Sequence, residues 1–163
     1  MNYDELYDQL HIEKRLVTDF SILFARFEYA LKKSRYAEGD ENGIKANWDD
    51  FAQDHDSTFK DDKTEELRSS VQYLCKQPPK KQILRNGVLD WKPVSLNNVP
   101  LLQQLVMKVR RTRNNLFHGG KFDHGLLEEP GRDSDLLLSC MIILEECLSL
   151  DEGVQQAFWK NEL

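Results

Sequence analysis

Between residues 111 and 120 the chain reads RTRNNLFHGG, which gathers Arg111, Arg113, Asn114, Asn115 and His118 just before a glycine pair. Histidine changes charge near neutral pH and can move protons, and the planar guanidinium of arginine fits a phosphate or carboxylate. Lys108, Arg110 and Lys121 flank the group and make it a local basic patch. A plainer reading of the same residues is surface polarity ahead of a glycine cap, with His118 at the negative end of a helix. Three arginines, two asparagines and an open Gly-Gly turn around one histidine weigh against that reading.

Such side chains act only if an element aims them. Leu102, Leu105, Val109, Thr112 and Leu116 recur with the spacing of one helical face, so the segment predicts a helix over residues 99–117. Asn97 or Asn98 is expected to cap its start, and Gly119-Gly120 to close it. The apolar stripe turns Arg111, Asn114 and His118 outward and leaves Arg113 near its edge. A guanidinium there needs a partner to be tolerated. Arg113 and His118 lie about 140° apart on an ideal helix, so one chain alone presents them poorly to a single phosphate. A two-fold pair of such helices supplies both.

Around this helix the pattern is helical throughout. Leu6, Leu10, Leu16, Phe20, Leu23, Phe27 and Leu31 predict one long amphipathic helix over residues 4–36. The turn AEGDENG ends it, a short helix through Trp48 and Phe51 follows, and DHDS breaks the chain again. Leu67, Val71 and Leu74 predict a helix over residues 60–76, stopped by Pro78 and Pro79. Residues 80–100 are expected to be irregular, with a turn at Asn86-Gly87 and Pro93 excluding a regular helix. After the connection GGKFDHGLLEEPGRD, a helix over residues 134–150 capped by Asp133 is apolar on nearly every side and should be central. A short helix over residues 151–159 closes the bundle. No alternating strand pattern outcompetes these, and the expected fold is an all-α bundle of about five to six helices in a single domain, 1–163.

Composition narrows the class. The 163 residues are 40% hydrophobic and 31% charged, as in a folded globular protein. No stretch approaches a membrane span, and the acids near the N-terminus do not suit a secretory signal, so a cytoplasmic protein is expected. The closing KNEL is not read as a retention address. Cys75, Cys140 and Cys147 look like small core residues, and with His11, His55, His118 and His124 they make no zinc-like spacing; no metal or other cofactor is expected. A net charge of −6 argues against coating nucleic acid by charge alone, leaving only local patches. One is the group around Arg113. The other, Lys76, Lys80, Lys81 and Arg85, reads as solvated residues on ordinary helix faces.

The run Arg113-Asn114-Asn115-Leu116-Phe117-His118 resembles the motif of the HEPN superfamily, an arginine followed after four to six residues by a histidine, with a polar residue next to the arginine. Arg111 satisfies the longer spacing. FSILFARFEYAL and the following WDDFA also look like HEPN relatives from bacterial mobile-element and defence contexts. The resemblance implies a HEPN-like helical bundle acting as a homodimer and a metal-independent endoribonuclease that leaves 2′,3′-cyclic phosphate and 5′-hydroxyl ends. His118 would then handle the proton, Arg113 would stabilise charge on the phosphorane, and Asn114 would position the phosphate or the arginine. Arg110, Arg111, Asn115 and Lys121 are the matching candidates for substrate contact. RNA, a second copy, and an antitoxin or nucleotidyltransferase are the implied partners. Gly120 stands where some HEPN toxins carry a modified tyrosine, which puts control by that route in doubt. Two other readings remain: a non-catalytic HEPN-like dimer that binds RNA, nucleotide or protein, and a hydrolase with a divalent metal on Asp49, Asp50, Asp54, His55 and Asp56.

Overall fold

The computed structural model describes residues 1–119 and 131–160. Among these are seven helices, which run as α1 (Tyr3–Asp8), α2 (Lys14–Lys33), α3 (Trp48–His55), α4 (Glu65–Lys76), α5 (Leu101–Phe117), α6 (Arg132–Leu148) and α7 (Glu152–Trp159). Two antiparallel hairpins interrupt them: β1 (Ala37–Asp40) with β2 (Gly43–Ala46), and β3 (Lys81–Arg85) with β4 (Val88–Lys92). The chain is therefore mainly helical.

The expected N-terminal helix is two helices. Asn2 caps α1 with its side chain, and the chain then turns through His11, whose φ is 52°. Leu10 and Ile12 are both buried on either side of that residue. A continuous helix would place two residues with that spacing about 200° apart, on opposite faces. From Lys14 on, Phe20, Phe24, Phe27, Ala30 and Leu31 form the buried face of α2.

Helix α6 is central, as its composition predicts. Leu136, Leu137, Cys140, Ile143, Leu144, Cys147 and Leu148 are buried, and it packs against α2, α4, α5 and α7. Its thiols are free, and burial pushes that of Cys147 up to about 12. Trp48 and Phe51 of α3 meet α2 through rings: Trp48 stacks on Phe24 and on Phe27, each at 5.1 Å, and Phe51 meets Phe27 edge-on at 5.6 Å. The buried apolar residues form one core.

Both hairpins arise where turns or irregular chain were expected. In the first, Gly39 lies opposite Ile44 at φ 146°, and a Cβ there would come within 2.1 Å of the Gly43 carbonyl oxygen, so only glycine fits. In the second, Asn86 and Gly87 have φ of 52° and 81°, the paired positive values of a type I′ turn whose twist matches its strands. Strands of four or five residues without one fully buried face carry too little alternation to read against helical patterns.

Helix α5 also starts differently from expectation. Pro100 is its cap residue and offers no side-chain acceptor. The acceptor comes from the end of α3 instead, where Asp56 Oδ1 takes a 2.8 Å hydrogen bond from the Leu102 amide. Helices α3 and α5 pack together, so this bond fixes the start of the helix that carries the motif.

Candidate functional site

The stripe Leu102, Leu105, Val109, Thr112 and Leu116 is buried, which fixes the rotation of α5 and directs its polar residues. Lys108 is buried with it, hydrogen bonding Gln104 Oε1 at 3.4 Å and Cys75 Sγ at 3.6 Å. It therefore belongs to the interior and not to the surface patch expected around Arg113.

Two candidate residues hold the chain that follows α4. Arg111 donates to the Pro79 carbonyl at 3.4 Å, and Asn115 donates to the Lys80 carbonyl at 3.0 Å. From α6, Arg132 reaches the carbonyls of Gln77 and Pro78 at 3.5 and 3.2 Å. Pro78 and Pro79 end α4, and these donors take up carbonyls that no helix satisfies. Partial burial lowers the pKa of Arg111. Arg110 meets Asp49 at 3.5 Å across an exposed surface.

Arg113 is placed differently. Its guanidinium carbon lies 5.3 Å from the centroid of the Phe24 ring and 5.2 Å from that of Phe117, and Nη1 donates to Asn114 Oδ1 at 3.1 Å. Aromatic faces attract cations, so two rings hold the charge without neutralising it. Among the described residues no carboxylate pairs with it. Phe117, one turn along the helix, remains 56% exposed beside it.

His118 follows as the C-cap residue of α5, exposed, with φ −98° and ψ 22°. Its amide still donates to the Asn114 carbonyl at 2.9 Å, so helical winding continues to this point before Gly119 turns at φ 76°. No described residue hydrogen bonds its imidazole. Lys121 and Gly120, together with His124, lie outside the described residues. The structure thus pairs Arg113 with Asn114 in the last turns of α5, leaves His118 at the C-cap of the same helix, and gives Arg111 and Asn115 to the backbone of residues 79–80.

The acidic run around α3 has separate duties. Asp49 pairs with Arg110, Asp50 accepts from the Asn47 side chain at 2.8 Å, and Asp56 caps α5. Asp54 and His55 instead join a polar cluster on Tyr36. Its hydroxyl lies 2.7 Å from Arg35 Nη2, 3.0 Å from His55 Nε2, 3.2 Å from Asp151 Oδ2 and 3.3 Å from Asp54 Oδ2. Burial pushes Tyr36 up to about 12. Burial also works against charge on Asp151, but hydrogen bonds from the Val154 amide, Tyr36 and His55 outweigh it and hold the carboxyl low. Among the described residues no group of donors could hold a metal ion, and none of the helices is long and apolar enough to cross a membrane.

Sequence reasoning missed Phe24 and Phe117 as partners of Arg113. The i,i+4 spacing of Arg113 and Phe117 carried that signal for one ring; nothing local could supply the other, which comes from α2. No protein-family model, curated protein or solved structure matches the chain.

Proposed function

We propose that the chain is a HEPN-type, metal-independent endoribonuclease that acts as a homodimer on RNA. The observation that carries the reading is Arg113, a cation held by two aromatic rings and no described carboxylate, one helical turn from an exposed histidine with no described side-chain partner. Arg111 and Asn115 are taken up by the backbone of residues 79–80 and Lys108 by the interior, whereas neither side chain of this pair has a carboxylate or backbone partner among the described residues.

In the reaction the 2′-hydroxyl oxygen bonds to phosphorus as the bond to the 5′ oxygen breaks. His118 takes the 2′ proton, and the departing 5′ oxygen takes a proton from water. Arg113 meets the charge that grows on the non-bridging oxygens. Asn114, which accepts from Arg113, keeps the guanidinium oriented. The α5 winding that persists to His118 favours a two-chain site, because it keeps that side chain turned away from Arg113.

The test is cleavage of single-stranded RNA and matched DNA in EDTA by wild type, Arg113→Ala and His118→Ala, each checked for folding. Wild type is expected to cut RNA alone and leave cyclic-phosphate ends. His118→Ala should lose about 10²–10⁴-fold in rate and Arg113→Ala about 10²–10³-fold. Folded wild type that cuts no RNA overturns the nuclease reading. A module that binds RNA through Phe117 and Arg113 without cutting is the second reading, favoured by the exposed ring beside the cation.

A further inference from the structure

The β3–β4 hairpin contains a local conflict. Its register places Lys81 directly opposite Lys92, so the two side chains leave the same face of a two-stranded sheet. Like charges in that position destabilise the pair. Both lysines are exposed, and neither has an ion pair or hydrogen bond among the described residues. The next charged position on that face is resolved: Arg85 meets Asp90 at 2.8 Å. An acid at position 92 would have resolved the first pair the same way.

The position of this pair relative to α5 is fixed. Asn115 holds the Lys80 carbonyl at 3.0 Å, Arg111 holds that of Pro79, and β3 begins with the next residue, Lys81. The base of the hairpin is therefore pinned to the last turns of the helix that ends at His118. In a chain of net charge −6, two lysines that face each other without a described ion pair form a local positive site near the end of α5.

We propose that Lys81 and Lys92 are a phosphate clamp that holds the backbone of single-stranded RNA alongside the α5 end. This rests on the nuclease reading for its choice of ligand. An anionic oxygen between the two ammonium groups converts their repulsion into two attractions, and the twisted hairpin presents them as a pair. The contact reads phosphate and not base, so it adds affinity without sequence preference.

The experiment measures binding of a fluorescent single-stranded RNA to His118→Ala protein by anisotropy over a range of salt concentrations. Each phosphate contact on a single strand contributes about 0.7 to the slope of log K against log salt. Adding Lys81→Gln and Lys92→Gln together removes the one phosphate contact that the two lysines share and is expected to flatten that slope by about 0.7. Lys45→Gln, which removes a lysine already paired with Glu38 on the other hairpin, should leave it unchanged. Lys92→Glu provides a second readout: it pairs with Lys81 and leaves the fold at least as stable to urea, yet weakens RNA binding. A purely structural lysine would move both readouts together.

An unchanged slope in the double variant overturns the clamp while leaving the nuclease reading intact. A flattened slope with wild type that cuts no RNA keeps the clamp and removes the nuclease. Failure of the His118→Ala protein to bind RNA overturns the clamp as an RNA site, and displacement of the probe by inorganic phosphate at constant ionic strength reassigns it to free phosphate.

Discussion

Tyr36 has three polar groups competing for one hydroxyl proton, and the surrounding rings determine the outcome. Phe51 covers its ring edge-on at 5.3 Å, and the residue is buried. Removing the hydroxyl leaves His55 and Asp151 facing each other at 3.3 Å without it, so Tyr36→Phe should cost about 1–3 kcal/mol, read from urea unfolding at neutral pH. A phenol raised in the fold from 10.0 to about 12 stabilises the protein fully below pH 10 and loses that contribution as pH rises towards 12. The phenylalanine variant should lack this alkaline loss. Asp151 works in the other direction: a depressed carboxyl stabilises above its unfolded pKa, and its contribution disappears as pH falls through the folded value. Asp151→Asn should flatten the acid side of the same profile. Neither residue stood out in the sequence, because Tyr36, His55 and Asp151 come from three separate segments and meet only after folding. Arg113 was legible in part. Its place at the edge of an apolar stripe called for a partner, but periodicity within one helix could not reveal a ring from α2.

At the scale of elements, legibility followed the length of the pattern. Helices α4, α5 and α6 carry long apolar stripes, and their buried faces are those that the spacing predicts. The hairpins do not, since both faces of β3–β4 stay largely open and Leu84 and Leu89 form an exposed cross-strand pair. The Asn86-Gly87 turn was readable while the strands beside it were not. Ends of elements were the least legible wherever a distant residue supplies the cap. Asp56 shows this most clearly: it closes α3 and accepts from the first turn of α5, whereas the nearby asparagines 97 and 98 do not cap that helix. Asp56→Ala should therefore destabilise the protein by about 1 kcal/mol, and Asp56→Asn by less, because the amide keeps an acceptor. Chemical denaturation decides it. A loss no larger than that of an exposed control such as Asp62→Ala would mean that water replaces the cap.

For the whole molecule, a continuous line of rings links the Tyr36 cluster, through Phe51, Phe27, Trp48 and Phe24, to Arg113 at the end of α5. The motif arginine is thus mounted on the aromatic core, and His118 is mounted on the helix terminus just beyond it. Their separation around the helix motivates a composite site, and subunit mixing tests that directly. Suppose Arg113 of one chain acts with His118 of the other. A dimer formed from one Arg113→Ala chain and one His118→Ala chain then has one site that lacks both groups and one that is intact. Random exchange makes about half of the dimers mixed, so about a quarter of wild-type cleavage should return on combining two inactive proteins. If both groups serve a site within one chain, every site in the mixture lacks one of them and nothing returns. Exchange can be followed with differently tagged chains, so a silent mixture that has demonstrably exchanged would assign Arg113 and His118 to the same protomer and remove the geometric reason for a shared site.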